Sequence, residues 1–116
     1  MPNAAQKQAL LNAITQIRSA EQLLVQASRA TSDAATLLKI NTEYIHLDSY
    51  LSQLLHTLAI VDEADFLSAT QALKKQATGL VAEEAQIKKI IADVGTEAKI
   101  AGYIAQAATL MASAAV

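Results

Sequence analysis

The chain has 116 residues, enough for one domain that buries a sizeable share of its unfolded surface. Its 25 alanines far outnumber its three glycines, one proline and four aromatics, so helix formers dominate and helix breakers are scarce. A formal net charge of −2 leaves no basic surplus to neutralise a nucleic-acid backbone, and the lack of cysteine excludes disulfides, thiolate metal sites and a cysteine nucleophile.

The opening stretch MPNAAQKQALLNAITQ has neither the basic start nor the unbroken apolar run of a signal peptide. A cysteine-free chain also suits a reducing compartment, so a cytoplasmic location is expected. The first predicted helix covers residues 4–30, where Leu10, Ala13, Ile17, Ala20, Leu24 and Ala27 recur in alternating steps of three and four. Thr31-Ser32-Asp33 then supplies three consecutive N-cap candidates.

A second helix is predicted over 33–61. Leu37, Ile40, Tyr44, Leu47, Leu51, Leu54, Leu58 and Val61 form an unbroken heptad seam, the pattern of a helix packed lengthwise on partners as in a coiled coil. The seam changes phase in LAIVDEADFL, where Leu58 to Phe66 is a step of eight. Asp62-Glu63-Ala64-Asp65 in this stretch resembles the Mg²⁺- and water-positioning motif of DEAD-box helicases, a likeness that implies ATP hydrolysis. That chemistry also needs a phosphate-cradling loop of the form GxxxxGK followed by Ser or Thr, which Gly79, Gly95 and Gly102 cannot build. The family's core is also several times longer and alternates strands with helices. The residues fit a helix start instead: Asp62 caps, and Glu63 and Asp65 lie in the first turn, where the helix dipole favours carboxylates.

The third predicted helix spans 63–94. Phe66, Leu73, Leu80, Ile87 and Val94 fall seven apart, with Ala77 and Ile91 in the interleaved position. Lys74-Lys75, Glu83-Glu84 and Lys88-Lys89 read as its solvated face, and Glu84 with Lys88 makes an i,i+4 pair in the favourable order. Gly95 is expected to end this helix at C′, with Thr96 capping a fourth over 97–115. The uncharged tail IAGYIAQAATLMASAAV approaches the length of a membrane span. Lys99, Gly102, Gln106, Thr109 and Ser113 nevertheless draw a polar stripe along it, so packing within a protein is expected. Ile100, Ile104, Ala107, Met111 and Ala114 form its bulky stripe, beside a small-residue stripe of Ala101, Ala105, Ala108, Ala112 and Ala115.

Short links between these elements predict an all-α, antiparallel up-down bundle of four helices in a single domain over 1–116, three long and the C-terminal one shorter. The alternative is a three-helix array whose fourth helix docks on another chain.

The only two histidines lie in EYIHLDSYLSQLLH. Glu43-x-x-His46 has the spacing used by di-iron carboxylate bundles, but those sites take two such pairs and a glutamate from each of two further helices. In the heptad register Glu43 falls at g and His46 at c, so the pair is expected to lean toward water. Histidine phosphotransfer domains place a Lys three residues after the reactive His and a Gly after that. His46 is followed there by Ser49 and Tyr50, and His56 by Ala59 and Ile60. Nor does either His sit in a context that suggests a Ser-His-Asp triad. No catalytic, cofactor-binding or metal-ligating residue is therefore assigned, and no cofactor is expected. The composition and periodicity point to a non-catalytic interaction or assembly protein, as a homo-oligomer or with a helical protein partner. The alternative is a peripheral amphipathic-helix protein that coats or enters a membrane, including a component of a pore, although the basic face expected for anionic lipid is missing.

Overall fold

A computed structural model describes residues 4–115, so the extreme ends of the predicted domain, residues 1–3 and 116, lie outside it. Five helices follow one another: α1 (Ala4–Ala30), α2 (Ala34–Leu58), α3 (Glu63–Thr70), α4 (Leu73–Ile90) and α5 (Val94–Ala114). No strand occurs among the described residues. The all-helical class is as predicted, but there are five helices where four were expected.

The extra break divides the predicted third helix at Gln71-Ala72, directly after Thr70. The buried Thr70 hydroxyl donates to the Leu67 carbonyl at 2.8 Å, the group to which the Gln71 N–H would bond in a continuing α-helix. The Gln71 and Ala72 amides turn instead to Ser68 and Ala69, three residues back, which tightens the backbone for one turn. Both residues keep right-handed helical dihedrals, so Phe66 and Leu73 still face the same core across the break.

Side chains set the other helix starts. Asp33 accepts from the Thr36 amide at 3.0 Å, and Asp62 accepts from the Asp65 amide at 2.9 Å, with Glu63 and Asp65 in the first turn of α3. The acids of the DEAD string are thus a helix N-terminus. The start of α5 departs from expectation. Asp93, not Thr96, is the cap, accepting from the Gly95 amide at 3.0 Å and the Thr96 hydroxyl at 3.1 Å. Gly95 has no left-handed φ and lies inside the first turn, and α4 ends at Ile90. Val94, predicted for the seam, is 76% exposed.

Helix α1 packs on α2 and α5, and α4 packs on the same two helices, while α3 rests on α2. These pairings close around an apolar core drawn from every helix, in a body of 49 × 19 × 19 Å. The Gln6 side chain at the start of α1 donates to the Ala114 carbonyl at the end of α5. On α2 and α4, His46 meets Glu83 and Tyr50 meets Gly79, so the numbering rises along one helix as it falls along the other. A Cβ on Gly79 would lie 2.5 Å from the Tyr50 hydroxyl oxygen, and its absence lets the phenol lie across α4.

The core of α1 is the predicted seam from Leu10 to Leu24 with Ile14 added, Ala27 being half-buried beside it, and α5 buries its whole bulky stripe. The C-terminal helix packs within the chain, against α1 and α4, rather than being left to dock elsewhere. Within the small-residue stripe Ala108 is buried, Ala101, Ala112 and Ala115 are half-buried, and Ala105 is exposed. The α2 seam needs correction. Leu47, Leu51 and Leu54 are buried as expected, but Leu37 and Tyr44 are exposed and Val61, beyond the helix end, is 92% exposed. Glu43 and Thr57 are buried instead. The buried arc of α2 is rotated toward Glu43, on the side that meets Glu83 of α4.

Candidate functional site

That rotation carries Glu43 into the α2–α4 interface, with only 3% of its surface exposed, whereas the heptad register had it leaning toward water. His46, one helical turn on, stays exposed at the rim as expected, and Glu83 approaches from α4. His46 Nδ1 lies 3.6 Å from Glu43 Oε1 and 3.3 Å from Glu83 Oε2. One ligand atom from each of the three residues falls within 4.8 Å of the others. Burial, then the hydrogen bond shared with Glu83 and that neighbour's charge, push the Glu43 carboxyl up to about 8. Its Oε2 atom is buried without a hydrogen-bond partner. Among the described residues no Lys or Arg forms an ion pair with either carboxylate. An open groove of about 500 Å³, lined by Leu38, Thr42, His46, Glu83 and Gln86 among others, gives solvent access from one side. Chemically, the cluster can share a proton between two carboxylates, pair them with an imidazolium, or present one nitrogen and two oxygens to a cation.

A second acidic pair lies on the other flank of α2. Glu21 of α1 is 5% exposed and faces Asp48 of α2. Burial, followed by the hydrogen bond and the charge of Asp48, raises the Glu21 carboxyl to about 7 against the opposing pull of Arg18. Its Oε2 is also buried and unpartnered. Arg18, Glu21, Arg29, Tyr44 and Asp48 share the lining of a shallow groove of about 520 Å³ between the two helices.

Neither buried glutamate was foreseen, although a signal existed. Each sits beside a seam position, and a helix covered by two neighbours buries the positions flanking a and d as well. His56 is exposed and belongs to no such cluster.

The third feature is the face of α2 turned away from the core. At 100° per residue, Ala34, Leu38, Asn41, Thr42, Ile45, Ser49, Ser52 and His56 fall on one strip opposite Leu47, and all of them are exposed. Leu38 is 68% and Ile45 65% exposed, and the strip contains no Asp, Glu, Lys or Arg along the whole helix. A solvated helix face ordinarily carries charge.

No helix is long and apolar enough to cross a membrane, counting the described residues only. No family model, no curated protein and no solved structure matches this chain.

Proposed function

We propose that this chain is a non-catalytic assembly module, an antiparallel up-down bundle of helices that acts in the cytoplasm through a surface rather than through a reaction. Its partner is a second copy of itself, joined through the outer face of α2. The observation that carries this reading is the uncharged strip with Leu38 and Ile45 at its centre, exposed over a helix of 25 residues. Two such strips can face one another without burying like charges, as an isologous contact requires. The opposed residue order of α2 and α4 and the Gln6–Ala114 hydrogen bond support the antiparallel arrangement.

The size of the strip sets the strength of the contact. A helix of this length spans roughly 37 Å, and a stripe about 10–12 Å wide presents roughly 400 Å² per protomer. That is at the low end for a specific interface, so assembly at micromolar concentrations is expected rather than a permanent dimer.

Light scattering across about 10–300 µM protein tests the reading. Wild type should move toward twice the chain mass, and Leu38→Glu/Ile45→Glu should remain a folded monomer at every concentration. A wild-type mass that stays at one chain, or a dimer indifferent to the double substitution, contradicts it. Co-sedimentation of wild type, but not the double variant, with neutral liposomes would favour a membrane-coating role for the same strip.

A further inference from the structure

We propose that Glu43, His46 and Glu83 form a mononuclear binding site for a first-row divalent transition metal ion such as Zn²⁺, bridging α2 and α4. Three observations converge on it. The first is spacing. Ligands held about 2.1 Å from a tetrahedral ion lie about 3.4 Å apart, and His46 Nδ1 already stands 3.6 Å from one carboxylate oxygen and 3.3 Å from the other. A cation can enter with small side-chain adjustments and no movement of the helices.

The second is the unpartnered oxygen. Glu43 is buried with its Oε1 toward His46, and the other oxygen of the same carboxylate, Oε2, receives no hydrogen bond. A buried carboxylate oxygen left without a donor costs free energy that a bound cation offsets. The third is the composition of the site. Two carboxylates converge with no Lys or Arg paired to either among the described residues, although Lys39 and Lys89 line the same groove, and the cationic partner within 4 Å is the His46 ring. One imidazole nitrogen with two carboxylate oxygens suits Zn²⁺ and its transition-metal neighbours. Ca²⁺ and Mg²⁺ prefer all-oxygen sites.

The helical framework explains why the ligands meet. Glu43 and His46 lie one turn apart on α2, so their side chains share a face, and Glu83 is presented from α4 close to where Tyr50 packs over Gly79. Three protein ligands leave a tetrahedral ion one further position, and His46 and Glu83 both line the groove that opens to solvent. Water fills that position. The site is distinct from a di-iron centre, which would need a second Glu-x-x-His pair, and it stands independently of the assembly reading.

The test uses the tag-free 116-residue chain, stripped with chelator and titrated with Zn²⁺ at pH 7 against a chromophoric competitor. Wild type should bind one ion per chain and melt at a higher temperature when loaded. Loss of an outer-shell partner of a metal ligand costs about 10–100-fold in affinity, so loss of a direct ligand in His46→Gln or Glu83→Gln should cost at least tenfold. His46 is exposed, and circular dichroism of His46→Gln should show the wild-type fold. His56→Gln should bind like wild type. Co²⁺ in place of Zn²⁺ should give visible d–d bands that disappear in His46→Gln. Absence of stoichiometric binding by wild type, unchanged affinity in a folded His46→Gln, or loss of binding in His56→Gln would each overturn the assignment.

Discussion

Glu21→Gln should make the protein more stable in mildly alkaline solution and flatten its dependence on pH. Burial against α2 and the neighbouring Asp48 raise the Glu21 carboxyl from 4.5 to about 7, with Arg18 opposing and Tyr44 alongside. The native state therefore keeps a proton that the unfolded chain releases above 4.5. Stability from this group is complete below 4.5 and is lost as pH rises through about 7, the reverse of a salt-bridged carboxylate. The full displacement corresponds to roughly 3 kcal/mol, and solvent reaching the carboxyl through the Arg18–Asp48 groove reduces this to about 1–2 kcal/mol. Glu43, raised to about 8, contributes with the same sign. Asp33 and Asp93, both lowered by their capping hydrogen bonds, act in the opposite sense only in more acidic solution. Urea unfolding in EDTA at pH 5 and pH 8.5 reads the difference. Wild type should be more stable at pH 5, and Glu21→Gln should match it there while exceeding it by about 1–2 kcal/mol at pH 8.5. The glutamine amide can still donate to Asp48 without carrying a charge. A wild-type midpoint that rises toward pH 8.5, or a variant destabilised equally at both pH values, would refute the reasoning.

Four further outcomes follow from the packing and the helix caps. Leu54→Ala removes a fully buried side chain and should cost about 2–5 kcal/mol. Val61→Ala, in the same heptad register but exposed past the end of α2, should stay within about 0.5 kcal/mol in the same urea titration. Ala108→Glu places a carboxylate at a buried position of α5 and should cost roughly 3 kcal/mol or more. Retention of the wild-type melting temperature would show that this stripe is open to solvent. Asp62→Ala deletes the α3 cap and should cost about 1 kcal/mol by thermal melting.

Periodicity located the core of α1 and of α5. Leu10, Ala13, Ile17, Ala20 and Leu24 on α1, and Ile100, Ile104, Ala107, Met111 and Ala114 on α5, are all buried as the spacing predicts. Local chemistry was equally legible at Asp33 and Asp62, because a short acceptor before an apolar run has few other uses. Reading failed where two local signals competed and where the buried arc departs from the heptad stripe. Gly95 looks like a helix terminator, but the Asp93 carboxylate two residues earlier accepts from the Gly95 amide and the Thr96 hydroxyl and draws the glycine into the helix. The break at Gln71-Ala72 leaves the spacing from Phe66 to Leu73 intact, so no periodic pattern reports it. The buried acids Glu21 and Glu43 were missed for a different reason. Each flanks a seam position and is buried by a facing helix, α2 for Glu21 and α4 for Glu43, which the stripe of its own helix does not report.

The assembly reading is tested most directly by a single cysteine placed in this cysteine-free chain. Ile45 stands midway along the exposed strip from Ala34 to His56, so on a two-fold axis through its centre it meets its own copy. Ile45→Cys under mild oxidation at about 100 µM should convert rapidly to a disulfide-linked dimer, while Ala82→Cys, exposed on α4, should form one only at the slow rate of random collision. Equal rates for the two variants would contradict pairing through the outer face of α2.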